Sequence, residues 1–375
     1  METAETVIIG GGIVGCAAAY YLAARGVRPV VLERRGIAAE ASGANAGMVG
    51  AASGVPGKTL AHTKKSLELM VSAALELGRP VELVREGRLT LACSDVEWPE
   101  VEEFAASRRR EGIAVEVVLR DGLRRLEPGL GAHIAGAAFV PGDGHVNPIL
   151  LTLAYAAAAR RLGAEIRQGI EVTGLEVSRD RVAAVLTPGG PIAASNVIVA
   201  AGAWSRPLLA PLGIPLPIRP GRGQMLVTEA LPPLTARVLR TSTIGICQDI
   251  RGHVLIGSTV EDVGFNREVT LPTLASFARL AEQLMPALTN AHVLRTWAGL
   301  RPMTPDGLAI IDSAPGVDGL FLAAGHSRTG ITYAPVTGWL LAQLVTDGTT
   351  ALPLDPFRLT RFVTAQPRDA VTGRA

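Results

Sequence analysis

Val7-Ile8-Ile9-Gly10-Gly11-Gly12-Ile13-Val14-Gly15 is the stretch whose reading decides the fold. Three β-branched residues form a short buried strand, the glycines a turn, and Ile13–Arg25, rich in small residues, a helix closed by Gly26. Pro29–Leu32 follows as a second strand ending at Glu33, which completes a βαβ opening. In the pattern Gly10-x-Gly12-x-x-Gly15, the first glycine permits the tight turn and the second lets the backbone approach a pyrophosphate. The third lets the helix pack closely on the strand. The first helical turn, with Ile13 and Val14, offers free N–H groups and a partial positive charge to phosphates. Glu33, about 20 residues on, is placed to accept ribose hydroxyls, with Arg34 beside it. A glycine-rich turn without a ligand is the weaker alternative in this context. The fingerprint is common to FAD and NAD and does not choose between them.

The remaining composition sets bounds. In 375 residues, 48% hydrophobic and 19% charged, there is material for a sizeable core. Thirty-six basic against 34 acidic residues give a net charge of +2, which excludes a general pull toward nucleic acid or anionic membranes. Arg108, Arg109 and Arg110 read as a solvated helix face. Cys16, Cys93 and Cys247 lie far apart, without metal, cluster or redox spacing, and suit a reducing compartment. Thr6–Ala24 and Thr329–Thr346 lack charge, but the first contains the glycine turn and the second Pro335 and polar residues. Neither is expected to span a membrane. The N-terminus carries no signal-peptide pattern. The expected location is the cytoplasm, with attachment to a membrane only through partners.

Working outward, Leu60–Leu77 reads as a helix, Arg88–Cys93 as a strand, Val101–Glu111 and Ile149–Leu162 as helices, and Ala164–Arg167 as a strand. Glu171–Val177 and Val182–Leu186 alternate as an antiparallel ribbon, and Val197–Ala200 is a short buried strand. The proline cluster Pro207–Pro220 marks a crossing between lobes. Gln224–Thr228 and His253–Gly257 read as strands and Leu274–Leu284 as a helix. After Trp297 the reading returns to turns, then the strand Leu320–Ala323 and the helix Gly330–Thr346. Nucleotide-binding features at the start, middle and end imply two discontinuous lobes. One comprises 1–85, 140–215 and 299–375 and carries the cofactor; the other comprises 86–139 and 216–298 and carries the substrate.

Four further elements bear on chemistry. Ser42-Gly43-Ala44-Asn45-Ala46-Gly47 is a run of small residues that lets backbone and hydroxyl groups approach a second phosphate. The strand from Val197 ends in Ala201-Gly202-Ala203-Trp204, which fits backbone passing close to a cofactor; Val172 in the ribbon is grouped with these residues. Gly299-Leu300-Arg301-Pro302 is the third. Gly325-His326-Ser327-Arg328-Thr329-Gly330-Ile331 is the fourth, where a helix starting near Thr329 aims its N–H groups at an anion. Arg301 and Arg328 sit among Gly and Pro turns beside apolar strands, which favours a pocket over a surface ion pair.

With Leu255-Ile256-Gly257-Ser258-Thr259-Val260-Glu261-Asp262-Val263-Gly264-Phe265, these elements resemble the D-amino-acid-oxidase-like superfamily of FAD enzymes over almost the whole chain. The likeness is strongest to the glycine oxidase branch and to the flavin subunits of hydrogen cyanide synthase, opine oxidase and hydroxyproline dehydrogenase. The resemblance implies an α/β fold, with a glutathione-reductase-like FAD-binding domain and a second, antiparallel-sheet substrate domain. It implies that Arg301 binds a substrate carboxylate, that Arg328 lines the flavin region, and that Met48 lies near the ring. Gly299, Arg301, Thr329, Gly330 and Ile331 join the cofactor contacts, and His145-Val146-Asn147-Pro148 is structural. No cysteine lies near Arg301–Asp306, where covalent-flavin relatives carry one, so FAD is expected to be non-covalent. The branch's active-site tyrosine is missing from Thr243–Asp249, which counts against glycine as the preferred substrate. Gln248 or Asp249 is the expected polar replacement, and Ser327 stands where an aromatic residue is frequent.

The implied reaction is oxidation of the C–N bond of a small or N-substituted amino acid of the D-amino acid, hydroxyproline or opine type. A hydride passes from Cα of the neutral amine to flavin N5, and the imine hydrolyses to a keto acid and an amine. The chain is expected to be the catalytic subunit of a heteromeric dehydrogenase, with any second flavin or iron–sulfur centre in electron-accepting partner subunits. Alternatives are a stand-alone glycine or D-amino-acid oxidase producing hydrogen peroxide, or a non-catalytic flavin-bearing electron-transfer or structural subunit, against which Arg301 and Arg328 argue; a hetero- or homo-oligomer is expected. A plain NAD dehydrogenase explains Gly10–Glu33 and nothing C-terminal to it.

Overall fold

The computed structural model describes residues 2–54 and 57–362. The chain opens with β1 (Glu2–Ile9), α1 (Ile13–Ala23), β2 (Val30–Glu33) and β3 (Met48–Val49), then α2 (Leu60–Glu76), β4 (Arg88–Ala92), α3 (Trp98–Arg110), β5 (Glu116–Leu119) and α4 (Arg120–Leu126). It continues through β6 (Gly136–Val140), β7 (Gly144–His145), α5 (Pro148–Arg161), β8 (Glu165–Gln168), β9 (Gly174–Ser178), β10 (Arg181–Thr187), β11 (Gly190–Val199) and α6 (Ser205–Leu209). The last part holds β12 (Arg219–Ala230), β13 (Val238–Arg240), β14 (Gly245–Gln248), β15 (His253–Gly257), α7 (Leu271–Leu284), β16 (Val293–Met303), β17 (Ile310–Ser313), β18 (Leu320–Ala324) and α8 (Gly330–Asp347). Among the described residues no helix is long and apolar enough to cross a membrane.

The first sheet runs β17-β18-β11-β1-β2-β8, and β10 and β9 extend from β11. Its centre is parallel: β1 pairs with β11 and β2, β11 with β18, and β2 with β8. Parallel strands buried on both faces need continuous apolar runs, and Val7, Ile8, Val31, Val197, Ile198 and Val199 are all without exposure. Helices α1, α5 and α8 cover one face. Cys16, Ala17, Ala18 and Ala19 are small enough for α8 to approach closely, and a Cβ at Gly338 would meet the Ala17 carbonyl carbon at 2.6 Å. Small side chains here are a packing requirement.

The second sheet runs β16-β12-β15-β14-β13-β4-β6-β5, mostly antiparallel, with β13 and β4 parallel. One face carries Leu89, Leu239, Ile246, Val254 and Ile256 onto α7 through Phe277, Ala281 and Leu284. The strand period of two then turns the alternate residues to the opposite face. One row crosses the sheet in register: Thr90, Arg240, Gly245, Gly257, Met225 and Trp297.

The turns expected after Trp297 are instead the end of β16, a strand of 11 residues. Gly299 and Pro302 prompted that reading. β16 is the edge strand, and an edge tolerates a proline that has no N–H to give. It also runs through the limit drawn between 298 and 299. The proline cluster likewise ends inside β12, at Pro220, which lies opposite Pro302.

Candidate active site

The turns that leave the carboxyl ends of β1, β2, β11 and β18 converge on a cavity of about 960 Å³ that reaches across to the second sheet. This is where open parallel sheets bind ligands, and the volume is at the upper end of the usual range of about 300–1,000 Å³.

At the outer end, Gly10 has φ +113°, and a Cβ there would meet the Ala200 carbonyl oxygen at 2.6 Å. A Cβ on Gly15 would meet the Gly10 oxygen at 2.0 Å, so Gly15 presses α1 against the turn and does not itself line the cavity. Gly12 caps α1 without a side-chain bond, and the first turn holds no acidic residue, so the helix end keeps its partial positive charge. The Ile13 N–H donates to Ser42 Oγ at 2.9 Å. Glu33 is buried and lines the cavity; its carboxylate accepts from the N–H groups of Gly11 at 2.7 Å and Arg35 at 2.8 Å and keeps lone pairs for further donors. The Arg34 guanidinium lies 3.9 Å over the Trp204 ring, and Val172, Ala201 and Gly202 complete this end. A backbone cradle that a side chain would fill, an uncompensated helix N-terminus and a buried carboxylate fit the pyrophosphate and ribose of a dinucleotide such as FAD.

The loop from Ser42 is fixed by Asn45. Its Nδ2 donates to the carbonyls of Ala41 at 2.9 Å and Ser42 at 2.8 Å, and its Oδ1 accepts from the Gly47 N–H at 2.7 Å. The Asn45 side chain therefore shapes the loop, and Ala46, Gly47 and Met48 line the cavity beside it. Gly43 and Gly299 lie outside the cavity. A Cβ on Gly43 would meet Ala38 O at 2.2 Å and one on Gly299 would meet Ala44 Cβ at 2.5 Å, so both let other segments close on the loop.

At the inner end Arg301 and Arg328 come together. Arg301 donates from Nη1 to Thr259 O at 2.9 Å and from Nη2 to Ser258 Oγ. Burial, and then the charge of Arg328, push its pKa down to about 10, so it stays cationic at neutral pH. Arg328 is exposed to the cavity and has no hydrogen bond or ion pair with a described residue. Thr329, Gly330 and Ile331 line the wall at the start of α8. His326 is held neutral, its pKa pushed down to about 4 by burial, with Nε2 3.0 Å from Thr337 Oγ1. Ser327, at φ +49°, accepts at Oγ from the Thr304 N–H at 3.2 Å, tying α8's entry to the end of β16.

Gln248 does not belong to the site. Strand alternation in β14 points Ile246 and Gln248 away from the cavity, and Gly245 and Cys247 toward the Ser42 loop. The Gln248 amide accepts from Leu234 N–H at 2.6 Å and donates to Pro232 O at 2.9 Å and Gly252 O at 3.0 Å. Asp249 likewise organises its own turn through the Arg251 and His253 N–H groups. The β14 position turned toward cavity-lining residues is Gly245, where a Cβ would meet Met48 Cε at 2.8 Å and Arg240 Nη1 at 3.3 Å. Sequence reasoning missed Arg240 and Arg88, both of which line the cavity, and Arg108, read as solvated, lines it too, its largely buried side chain bonded to Gly54 O and Glu111. Only the register of β13 beside β4 brings the first two in. Arg88 lies 3.6 Å from the buried Asp143 carboxylate. Asn147, in the motif read as structural, caps α5 through the Leu150 N–H at 3.1 Å.

A family model described as FAD dependent oxidoreductase matches residues 5–344. The chain is 34% identical over 368 residues to a glycine oxidase of Geobacillus kaustophilus, covering 96% of this chain and 97% of that one. It is 32% identical to the hydrogen cyanide synthase subunit HcnC of Pseudomonas aeruginosa over 416 residues, covering 100% of this chain and 99% of the relative. The crystal structure of the Geobacillus kaustophilus glycine oxidase superposes with a TM-score of 0.92 at 33% identity, over 96% of this chain and 99% of that one. With the dinucleotide cradle, the two-sheet architecture and the arginine-lined inner end in place, this chain belongs to the DAO family of FAD-dependent oxidoreductases.

Proposed function

We propose that the protein oxidises the C–N bond of a small amino acid or N-substituted amino acid. The observation that carries this reading is the pair Arg301 and Arg328 at the inner end of a cavity whose outer end fits FAD. Arg301 is oriented by Thr259 and Ser258 and can present its remaining N–H groups to a carboxylate, and Arg328, unpaired among the described residues, adds a second cation. A guanidinium held this way fixes the Cα–H bond of a bound amine in one direction. Gly10, Gly12, Ile13, Val14, Glu33, Arg34, Ser42 and the Ala46–Gly47 backbone would hold FAD, with Ala201, Gly202, Trp204 and Thr329–Ile331 along its length. FAD, when bound, accepts the electron pair and a proton equivalent from the substrate. On the substrate a C–H bond breaks, C=N forms and the nitrogen releases its proton to solvent. Water then adds to the imine and releases a carbonyl compound and an amine. The cationic arginines favour an anionic substrate with a deprotonated amine over a zwitterion, which removes the need for a side-chain base.

Likeness to a hydrogen cyanide synthase subunit supports transfer of the electrons to a partner chain, as the catalytic subunit of a heteromeric dehydrogenase. Likeness to glycine oxidase supports oxygen as the acceptor, in a stand-alone enzyme. Holoenzyme reduced anaerobically by substrate and then mixed with air decides between them. Slow recolouring without peroxide is the outcome for a partner-dependent dehydrogenase, and fast recolouring with stoichiometric peroxide is that for an oxidase. The amine-oxidation reading fails if Arg301→Met reduces its flavin as fast as the parent protein at every substrate concentration.

A further inference from the structure

The geometry points to a second carboxylate subsite built on Arg240, so that the substrate is a short amine bearing two carboxylates. This rests on the reading of the cavity as an amino-acid site and names the class of amino acid.

Arg240 ends β13 and stands in the row Thr90–Arg240–Gly245–Gly257 on the cavity face of the second sheet. Its neighbour across the strand pair is Gly245, and the missing side chain leaves the space in which Arg240 Nη1 and the Met48 thioether meet. Among the described residues the Arg240 side chain makes no hydrogen bond, ion pair or ring contact. The Arg240 guanidinium is half-buried in the cavity wall with none of its nitrogens sealed from water, so its five N–H donors are available to a ligand. Its surroundings favour an anion there: Arg328, Arg88 and Arg301 all raise the local positive potential and lower the Arg240 pKa, after the larger effect of partial burial. Of the four, Arg88 has Asp143 and Thr90, and Arg301 has Ser258 and Thr259. Arg240 and Arg328 are left for a ligand. One carboxylate of an amino acid takes Arg301 and Arg328, as proposed above. That leaves Arg240 with an anion still to find.

Spacing restricts what that anion belongs to. The Arg301 side chain reaches from β16 to its anchor at Ser258 and Thr259, just past the end of β15, and Arg240 on β13 lies two strands beyond that anchor, roughly 10 Å between the backbones of anchor and Arg240. Both side chains reach inward, so the remaining gap suits two carboxylates separated by a few atoms. Aspartate, glutamate and iminodiacetate are of this kind, while glycine, sarcosine and proline have only one carboxylate. Gly245 also explains the missing tyrosine: a bulky side chain there would overlap Met48 and exclude Arg240 from the cavity.

The experiment titrates purified holoenzyme with acetate and with succinate, which cannot be oxidised, and reads the perturbation of the flavin spectrum. The same protein is then mixed anaerobically with glycine, sarcosine, both enantiomers of aspartate and glutamate, and iminodiacetate. The proposal predicts succinate binding at least tenfold tighter than acetate, and flavin reduction by a dicarboxylic amine at lower concentration than by any monocarboxylic one. Arg240→Met is predicted to weaken succinate by roughly 30-fold, the low end for truncating one partner of a buried ion pair. It is predicted to leave acetate unchanged, with partial recovery in Arg240→Lys. Succinate no tighter than acetate in the parent protein overturns the subsite, and this comparison does not depend on any variant folding. Reduction by glycine or sarcosine with no preference for dicarboxylic amines overturns the subsite and leaves amino-acid oxidation standing. Failure of every amino acid to reduce a flavin that dithionite does reduce overturns both.

Discussion

Gly223→Ala tests whether the position of Arg301, apart from its charge, controls the chemistry. Gly223 lies in β12 opposite Gly299, two residues along from Gly221, the partner of Arg301. A Cβ at 223 would sit 2.0 Å from Arg301 Nη1, whereas ordinary contact begins near 3.4 Å. The guanidinium must therefore move by about 1.4 Å or abandon its bonds to Thr259 O and Ser258 Oγ. Misplacement of a positioning group by about 1 Å costs on the order of 100-fold in rate, which corresponds to roughly 2.7 kcal/mol of barrier. The added methyl is expected to cost about 1–3 kcal/mol of stability through overpacking. FAD binding is expected to persist, because residue 223 lies outside the cavity lining. The assay is anaerobic rapid mixing of holoenzyme with substrate, following loss of the flavin band over a concentration series. The expected result is a drop of about 100-fold in the second-order rate of flavin reduction, with full FAD content. A variant that holds FAD and reduces it within twofold of the parent refutes the idea that Arg301 is held in one productive place.

Other perturbations probe the cofactor cradle and the buried histidine. Gly15→Ala puts a Cβ 2.0 Å from the Gly10 carbonyl oxygen, a backbone atom that cannot turn aside, and is expected to yield protein without FAD or no soluble protein; normal FAD content on purification contradicts it. Glu33→Gln keeps the shape but loses the charge that receives the Gly11 and Arg35 N–H groups, and is expected to weaken FAD by roughly 10- to 100-fold in a fluorescence titration. His326 binds its proton near pH 4 when folded and near 6.5 when unfolded, so between those values the unfolded chain binds more protons. Stability from this residue is therefore lost as pH falls from 6.5 toward 4, by roughly 3 kcal/mol in total. His326→Gln is expected to flatten that part of the urea midpoint against pH, and an unchanged slope argues against a buried neutral histidine.

What the sequence made legible follows the distance over which each signal acts. Gly10 to Glu33 is a local pattern in which strand, turn, helix and strand are contiguous, and it places the outer end of the cavity without further information. Arg301 and Arg328 were legible because each sits in a compact motif. Gln248 was misplaced because its role depends on strand phase: a change of one residue along β14 moves a side chain from the cavity to the core, and a short apolar run does not announce its phase. Arg240 was invisible for a related reason. β13 is three residues long and pairs in parallel with β4, about 150 positions earlier in the chain, a long-range pairing that no local pattern reports. Gly299 and Pro302 were read as turn residues because the edge position that accommodates them is a property of the sheet. Gly15 packs helix against turn as its place in the pattern implies, whereas Gly43, one of the run expected to approach a second phosphate, instead lets the Ala38 backbone close on its loop.

The most direct measurement is anaerobic addition of amino acids and dicarboxylic amines to the purified yellow protein, with the flavin band followed in time and the carbonyl product quantified. At least one such amine is expected to bleach the flavin and release one carbonyl compound per flavin reduced, far more slowly in Arg301→Met; this is the predicted result. Flavin that dithionite reduces but none of these amines does would contradict it.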